Sequence, residues 1–162
     1  MILPAILYKD QIEHEFKRHY YTDEMMYYNG YIDNSYPTVS ENPNESTFQW
    51  AVVNDNGNLI GFISYYVDWY SKSATRFGIF SFEKGNVLMG KAVIQVLNDL
   101  LYKYKMHRIS WLMVSGNPVE DSYDRFCEKH HGCKYILRDV FKDRLGEYHN
   151  SCQYEIIQEE NK

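Results

Sequence analysis

Two glycines, Gly85 and Gly90, stand where an apolar run ending at Phe82 passes into an amphipathic segment that continues to about Lys105. If the first is a strand and the second a helix, the opening N–H groups of that helix have no intrahelical acceptor and lie at the positive end of its dipole. A phosphate docked there would meet several convergent donors. Glycine has no Cβ, so the chain can turn sharply and a bulky diphosphate can approach the amides. The competing description is an ordinary strand–turn–helix with no ligand. Two carboxylates flank the same region. Glu83 follows the apolar run and Asp68 ends the preceding one, and either could take a proton from a bound substrate or stand as a solvated loop group.

The elements that must position these groups can be read from periodicity and turn residues. Residues 9–31 carry Ile12, Phe16, His19 or Tyr20, and Met26 or Tyr27 near helical spacing and predict one or two helices. Residues 34–46 are dense in turn formers and predict a loop, the kind of segment that frames a site. Phe48–Val53 and Leu59–Asp68 predict a hairpin closed by Asn56-Gly57, followed by a third strand over Ala74–Phe82. The helix from about Asn86 places Val93, Val96, Leu97, Leu100 and Leu101 on one face. A strand over Arg108–Ser115 follows, and its helical crossover makes parallel pairing with the third strand the expectation. Gly116-Asn117-Pro118 then opens a helix that ends at Gly132 as a C-cap, and Lys134–Phe141 and Tyr148–Ile157 close the chain as a hairpin. The predicted fold is α+β, a mixed and mostly antiparallel sheet of about six or seven strands flanked by helices, with residues 1–162 as one domain.

Composition narrows the function. A chain that is 44% apolar and 24% charged can bury an ordinary globular core. Its net charge of −5 argues against a nucleic-acid partner, which requires concentrated Lys and Arg, and suits a cationic substrate better. The apolar run Met1–Leu7 has no basic leader and is far shorter than the ~20 residues of a membrane helix, so a cytoplasmic protein without membrane association is expected. Cys127, Cys133 and Cys152 are odd in number with no C-x-x-C pair, which suits reduced thiols, and with His131 and His149 they match no common metal spacing.

This order of elements resembles the GNAT superfamily of acyl-CoA N-acyltransferases over nearly the whole chain. The superfamily's pyrophosphate loop runs Arg or Gln, two variable residues, Gly, any residue, then Gly or Ala. Val87-Leu88-Met89-Gly90-Lys91-Ala92 keeps the Gly-x-Ala ending, with Val87 in place of the polar first residue. Gly116-Asn117-Pro118, Arg125-Phe126-Cys127-Glu128-Lys129 and Gly132-Cys133-Lys134-Tyr135 are similar to its Asn-Pro turn, its Leu-Tyr-Glu-Lys helix end and the Gly-Phe that enters the next strand. Lys142–His149 resembles the final-hairpin turn of many bacterial members.

The resemblance implies an N-acetyltransferase that moves an acetyl group from acetyl-CoA directly to a primary amine of a small molecule or peptide through a tetrahedral intermediate. Val87, Leu88, Met89, Gly90, Lys91, Ala92 and Asn117 would hold the cosubstrate, and backbone N–H groups at Phe80 and Phe82, with Ser81 between them, would meet the acyl oxygen and pantetheine arm. An alkyl amine titrates at about 10.4, so a base must take its proton, with Glu83 first in line and Asp68 second. Cys127 stands where the superfamily often has the tyrosine that protonates the departing thiolate, and Tyr123, one turn earlier, is the other candidate acid. For Cys127 the alternative is a small buried core residue. Tyr27, Tyr28, Tyr31 and Tyr36 would wall the acceptor side, where aromatic faces attract ammonium groups. The resemblance allows a homodimer, and it leaves a non-catalytic CoA-binding sensor or interaction module of the same fold as the alternative.

Overall fold

The computed structural model describes residues 1–29, 37–42 and 44–158. Its strands are β1 (Ile2–Pro4), β2 (Thr47–Val53), β3 (Leu59–Asp68), β4 (Ser73–Ser81), β5 (Arg108–Val114), β6 (Cys133–Lys142) and β7 (Tyr148–Ile157). Its α-helices are α1 (Lys9–His19), α2 (Glu24–Asn29), α3 (Val87–Asn98) and α4 (Glu120–Lys129). The strands form one mixed sheet in the order β1-β2-β3-β4-β5-β7-β6, antiparallel throughout except between β4 and β5. The predicted α+β architecture is therefore the observed one. No described helix is long and apolar enough to cross a membrane.

Each face of the sheet is apolar because strand side chains alternate, and each is covered by helices. On one face Val93, Val96, Leu97, Leu100 and Leu101 pack with Ile63, Ile109, Trp111, Met113 and Tyr154. That is the helix stripe anticipated from spacing, and burying each Leu or Val contributes about 1.5–3 kcal/mol. The final turn of this helical segment, Asp99–Lys103, widens to π-type bonding. On the other face α1 sets Ile12 and Phe16 against Ala51, Phe62 and Phe80. Phe16 meets Phe62, Phe80 and Phe82 with ring centroids 5.2–5.5 Å apart, mostly edge-on or tilted.

Three features go beyond the sequence expectation or correct it. Strand β1 is only three residues long and carries a proline, so nothing local announces it; pairing with β2 creates it, with the Met1 amino group donating to Val53 O at 2.7 Å. The closing hairpin folds so that its second strand lies beside β5 and its first becomes the edge. At the end of α4 the left-handed residue is His131 (φ +54°), and Gly132 is required for space. A Cβ at Gly132 would lie 2.5 Å from Glu155 O and 2.7 Å from Cys127 Sγ. Because the nearest atom belongs to backbone, Gly132→Ala should destabilise the protein by about 1–3 kcal/mol in urea denaturation with an unchanged m-value.

Candidate active site

The site originates in a mismatch between neighbouring strands. Ser64 lies opposite Gly78 and Tyr66 opposite Thr75, so Arg76 and Phe77 together face Tyr65. This is a β-bulge in β4, and Arg76 adopts φ +54° to make it. A bulge bends its strand and increases the local twist, and β4 pairs with β5 only at Ser73–Arg108 and Ala74–Ile109 before the two part.

A cavity of about 430 Å³ occupies the parting. Ile79, Met89, Val93 and Tyr123 line it from the face of α3 and α4, and Tyr27, Tyr28 and Phe80 from the face of α2, so it reaches both sides of the sheet. The start of α3, with Asn86 and Gly90, and the turn Asn117-Pro118-Val119 complete its wall. A Cβ on Gly90 would meet no atom within 4 Å, which leaves an open approach beside that residue.

The strand register reassigns the backbone donors. Phe82 N–H donates to Ile60 O at 2.9 Å, and Phe62 sits opposite Phe80, so both phenylalanines turn their N–H groups toward β3. Their rings pack against α1. Ile79 and Ser81 have the opposite parity and turn their N–H groups to the side from which β5 has withdrawn. The expected free donors at Phe80 and Phe82 are thereby replaced by Ile79 and Ser81.

Helix α3 begins with Asn86 as its cap. Asn86 Oδ1 accepts from Leu88 N at 2.8 Å and Asn86 O accepts from Met89 N at 3.1 Å. Of the amides expected at the loop, those two are occupied, whereas Val87 N–H has no acceptor among the described residues. Val87 and Leu88 expose their side chains, Gly90 and Lys91 are exposed, and Met89 and Ala92 are buried beneath the helix. Asn86 Nδ2 also donates to Glu83 Oε2 at 2.6 Å, which holds that exposed carboxylate at the turn rather than on the cavity wall. Asp68 lies at the opposite end of β4, where Oδ1 accepts from Ser71 N and Tyr70 N, and those bonds lower its pKa.

The candidate acids separate in the same way. Tyr123 is 7% exposed and lines the cavity, with Trp111 and Tyr154 edge-on at 5.7 and 5.9 Å. Its hydroxyl has no hydrogen-bond partner among the described residues, and burial raises its pKa. Cys127, one turn on, is off the cavity wall; its thiol reaches Cys133 O at 3.5 Å, and burial raises its pKa as well. Asn117 is on the wall, with Oδ1 accepting from Val119 N at 3.2 Å.

Two wall features escaped the reading of the sequence. Tyr28 bonds Ser64 through its hydroxyl, and burial pushes its pKa up to about 12. A Cβ at Gly78 would lie 2.5 Å from that hydroxyl, so the glycine inside β4 is what admits the tyrosine. Glu24 and Lys84 form an ion pair on the wall, with the ammonium beside Glu24 holding its carboxyl down to about 2. Tyr31 and Tyr36 lie outside the described residues.

Helix α4, which carries Tyr123, is clamped to β6 and β7 by charge. Lys134 Nζ donates to Glu120 Oε1 at 2.8 Å and to Asp124 at 2.8 and 3.0 Å, and Tyr154 donates to Asp124 Oδ1 at 2.5 Å. Glu120 also accepts from Gly116 N at 3.0 Å, which ties the Asn117 turn to the same lysine.

No protein-family model and no curated protein sequence matches this chain. Among solved structures it is similar to the spermidine/spermine N-acetyltransferase SpeG from Vibrio cholerae, at 15% identity and a TM-score of 0.53, covering 91% of this chain and 74% of that one. Mutant forms of the same SpeG align at 17% identity and a TM-score of 0.55, covering 92% and 76%. A structure described as a probable acetyltransferase aligns at 17% identity and a TM-score of 0.53, over 70% of this chain and 63% of that one.

The Lys134 clamp has a defined pH signature. The ammonium lowers the Glu120 pKa; at Asp124 burial pushes upward, and the bonds from Lys134 and Tyr154 outweigh it to leave that pKa lowered too. Stabilisation from carboxylates held below their unfolded values of about 4 is complete above that pH and is lost as pH falls toward the folded values. The Asp124 side chain is 44% exposed and its pairing is screened by water, so Lys134→Met should cost about 0.5–1.5 kcal/mol at neutral pH and flatten the acid side of the stability–pH profile, measured by denaturant titration.

Proposed function

We propose, from the GNAT-type fold that this chain has, that it is an acetyl-CoA-dependent N-acetyltransferase acting on a primary amine. The observation that carries this reading is the cavity at the β4/β5 parting, which opens to both faces of the sheet beside the start of α3. A donor and an acceptor entering from opposite faces would meet between the strands.

The residues present fit CoA. The Val87 N–H, without an acceptor among the described residues, the open approach at Gly90 and the Lys84 ammonium would supply dipole, space and charge for a diphosphate at the helix start. Asn117 and the apolar wall of Met89, Val93 and Tyr123 suit the arm that follows. When bound, acetyl-CoA supplies an acetyl group activated as a thioester. Ile79 N–H and Ser81 N–H are the backbone donors placed to hold a developing oxyanion, and such donors contribute most in a site from which water is excluded. Tyr123 Oη, on the cavity wall, is the candidate to give a proton to the leaving thiolate. Tyr27 and Tyr28 wall the acceptor side, where their rings favour a cation. Glu83 is held at the turn by Asn86, so the amine proton leaves through cavity water.

One observation favours the second reading, CoA binding without turnover: the sole carboxylate among the described wall residues, Glu24, is paired with Lys84 rather than free to take a proton. Turnover across a panel of primary amines separates the two, since CoA binding with no acetylation of any amine would establish the second.

Acetyl-CoA at about 100 times its dissociation constant should stabilise the protein by roughly 2.7 kcal/mol in thermal unfolding. Gly90→Asp projects into open space, so the fold should persist while this shift disappears; an unchanged shift would place the diphosphate elsewhere. Tyr123→Phe removes a hydroxyl with no partner among the described residues, so Tm should stay constant while kcat falls by about 10- to 100-fold. An unchanged kcat would assign proton delivery to water.

A further inference from the structure

Among its described residues the cavity wall carries one acidic side chain, Glu24, and one cationic one, Lys84, and these are paired with each other. They come from opposite ligand sides. Glu24 opens α2 next to the tyrosines of the acceptor wall, and Lys84 stands in the turn from β4 to α3, beside Gly85 (φ +66°) and two residues before the helix cap. The Lys84 side chain is 86% exposed and that of Glu24 32%, so the pair sits at the rim, in reach of water and of any ligand entering.

Two considerations make such a pair exchangeable. An exposed ion pair contributes only about 0–1 kcal/mol, so a ligand charge can replace either half at small cost. Each half also has the charge that one ligand needs: a carboxylate for an ammonium, and an ammonium for a diphosphate. While the two remain paired, neither charge is fully available.

We infer that Glu24 and Lys84 couple the two ligands by exchange, an inference that rests on the acetyl-transfer reading. A cationic amine entering on the α2 side takes Glu24 in place of Lys84, and the released Lys84 ammonium turns to the diphosphate at the start of α3. Binding of CoA likewise draws Lys84 away and exposes Glu24 to the amine. Because coupling between two binding events is reciprocal, each ligand raises the affinity for the other by the same factor. Glu24 is thus a specificity residue for ammonium-bearing acceptors, and an acceptor without a positive charge gains nothing from it.

The test is a binding cycle with CoA as the probe, read by titration calorimetry on wild type, E24Q, K84Q and the double variant. Both side chains stand at the rim, so neither substitution removes core packing. E24Q frees Lys84 and should tighten CoA by about two- to fivefold, K84Q should weaken it by a similar factor, and the double variant should match K84Q. Putrescine, with ionic strength matched by sodium chloride, should tighten CoA binding to wild type and leave E24Q unaffected. Equal CoA affinity in wild type and E24Q overturns the exchange. A gain from E24Q that persists without Lys84 overturns it too, because it reports general repulsion between Glu24 and the diphosphate. Putrescine without effect on wild type removes the coupling. CoA that fails to bind wild type at all instead defeats the acetyl-transfer reading on which the exchange depends.

Discussion

The extra residue in β4 at Arg76–Phe77 is the constraint from which the site follows. A sheet that kept β4 and β5 in register would be closed by hydrogen bonds along its whole length. Here pairing stops after Ala74 and Ile109, and the main-chain groups of the upper half of β4 are left facing a gap. The bulge holds a non-glycine residue at positive φ, which costs about 1–2 kcal/mol. Sheet pairing on both sides sustains that strain, β3 against β4 and β7 against β5. Strain of this kind persists only where surrounding structure over-determines it, and here it accompanies the opening between β4 and β5.

The walls of the opening are held by different physics. On one side α1 and α2 are fixed by aromatic packing, with Phe16 touching Tyr28, Phe62, Phe80 and Phe82. Such packing, with the bond from the Tyr28 hydroxyl to Ser64, sets the position of Tyr28. On the other side α4 is short and amphipathic, and beyond its buried Tyr123, Phe126 and Cys127 it is held by the Lys134 network. Lys134 reaches the carboxylates of Glu120 and Asp124 together, and Glu120 passes the restraint to the Gly116–Asn117 turn. One lysine on β6 thereby orients both the helix that carries Tyr123 and the turn that carries Asn117. At the cavity rim, in contrast, the exposed pair Glu24–Lys84 joins α2 to the turn before α3, and an exposed pair of this kind is a weak link.

Local signals in the chain were sufficient for most of the elements. The Asn56-Gly57 hairpin, the leucine and valine stripe of α3, the strand–turn–helix at Gly85 and the Asn-Pro turn before α4 all depend on neighbours within a few residues, where period and turn chemistry act directly. Part of the candidate site's wall could be picked out for the same reason: Gly90, Asn117 and Tyr123 all line the same cavity. Its atomic assignment was not legible. Which of Phe80, Ser81 and Phe82 offers an N–H to the gap depends on a parity set by β3 across the sheet, and a shift of one residue reverses it. Whether Glu83 is a base or a turn group depends on Asn86, whose amide reaches it once the cap has formed.

The amino-acid sequence by itself determined the order and type of most of the elements, because those follow from short-range sterics and the burial of periodic apolar faces. Only the tertiary structure decided that β1 is a strand, that β7 and not β6 adjoins β5, that Gly78 makes room for Tyr28, and that Glu24 meets Lys84 at the rim. Each of these joins residues far apart in the chain, and no local preference encodes such a meeting; it exists only once the sheet register and the helix packing have placed both partners.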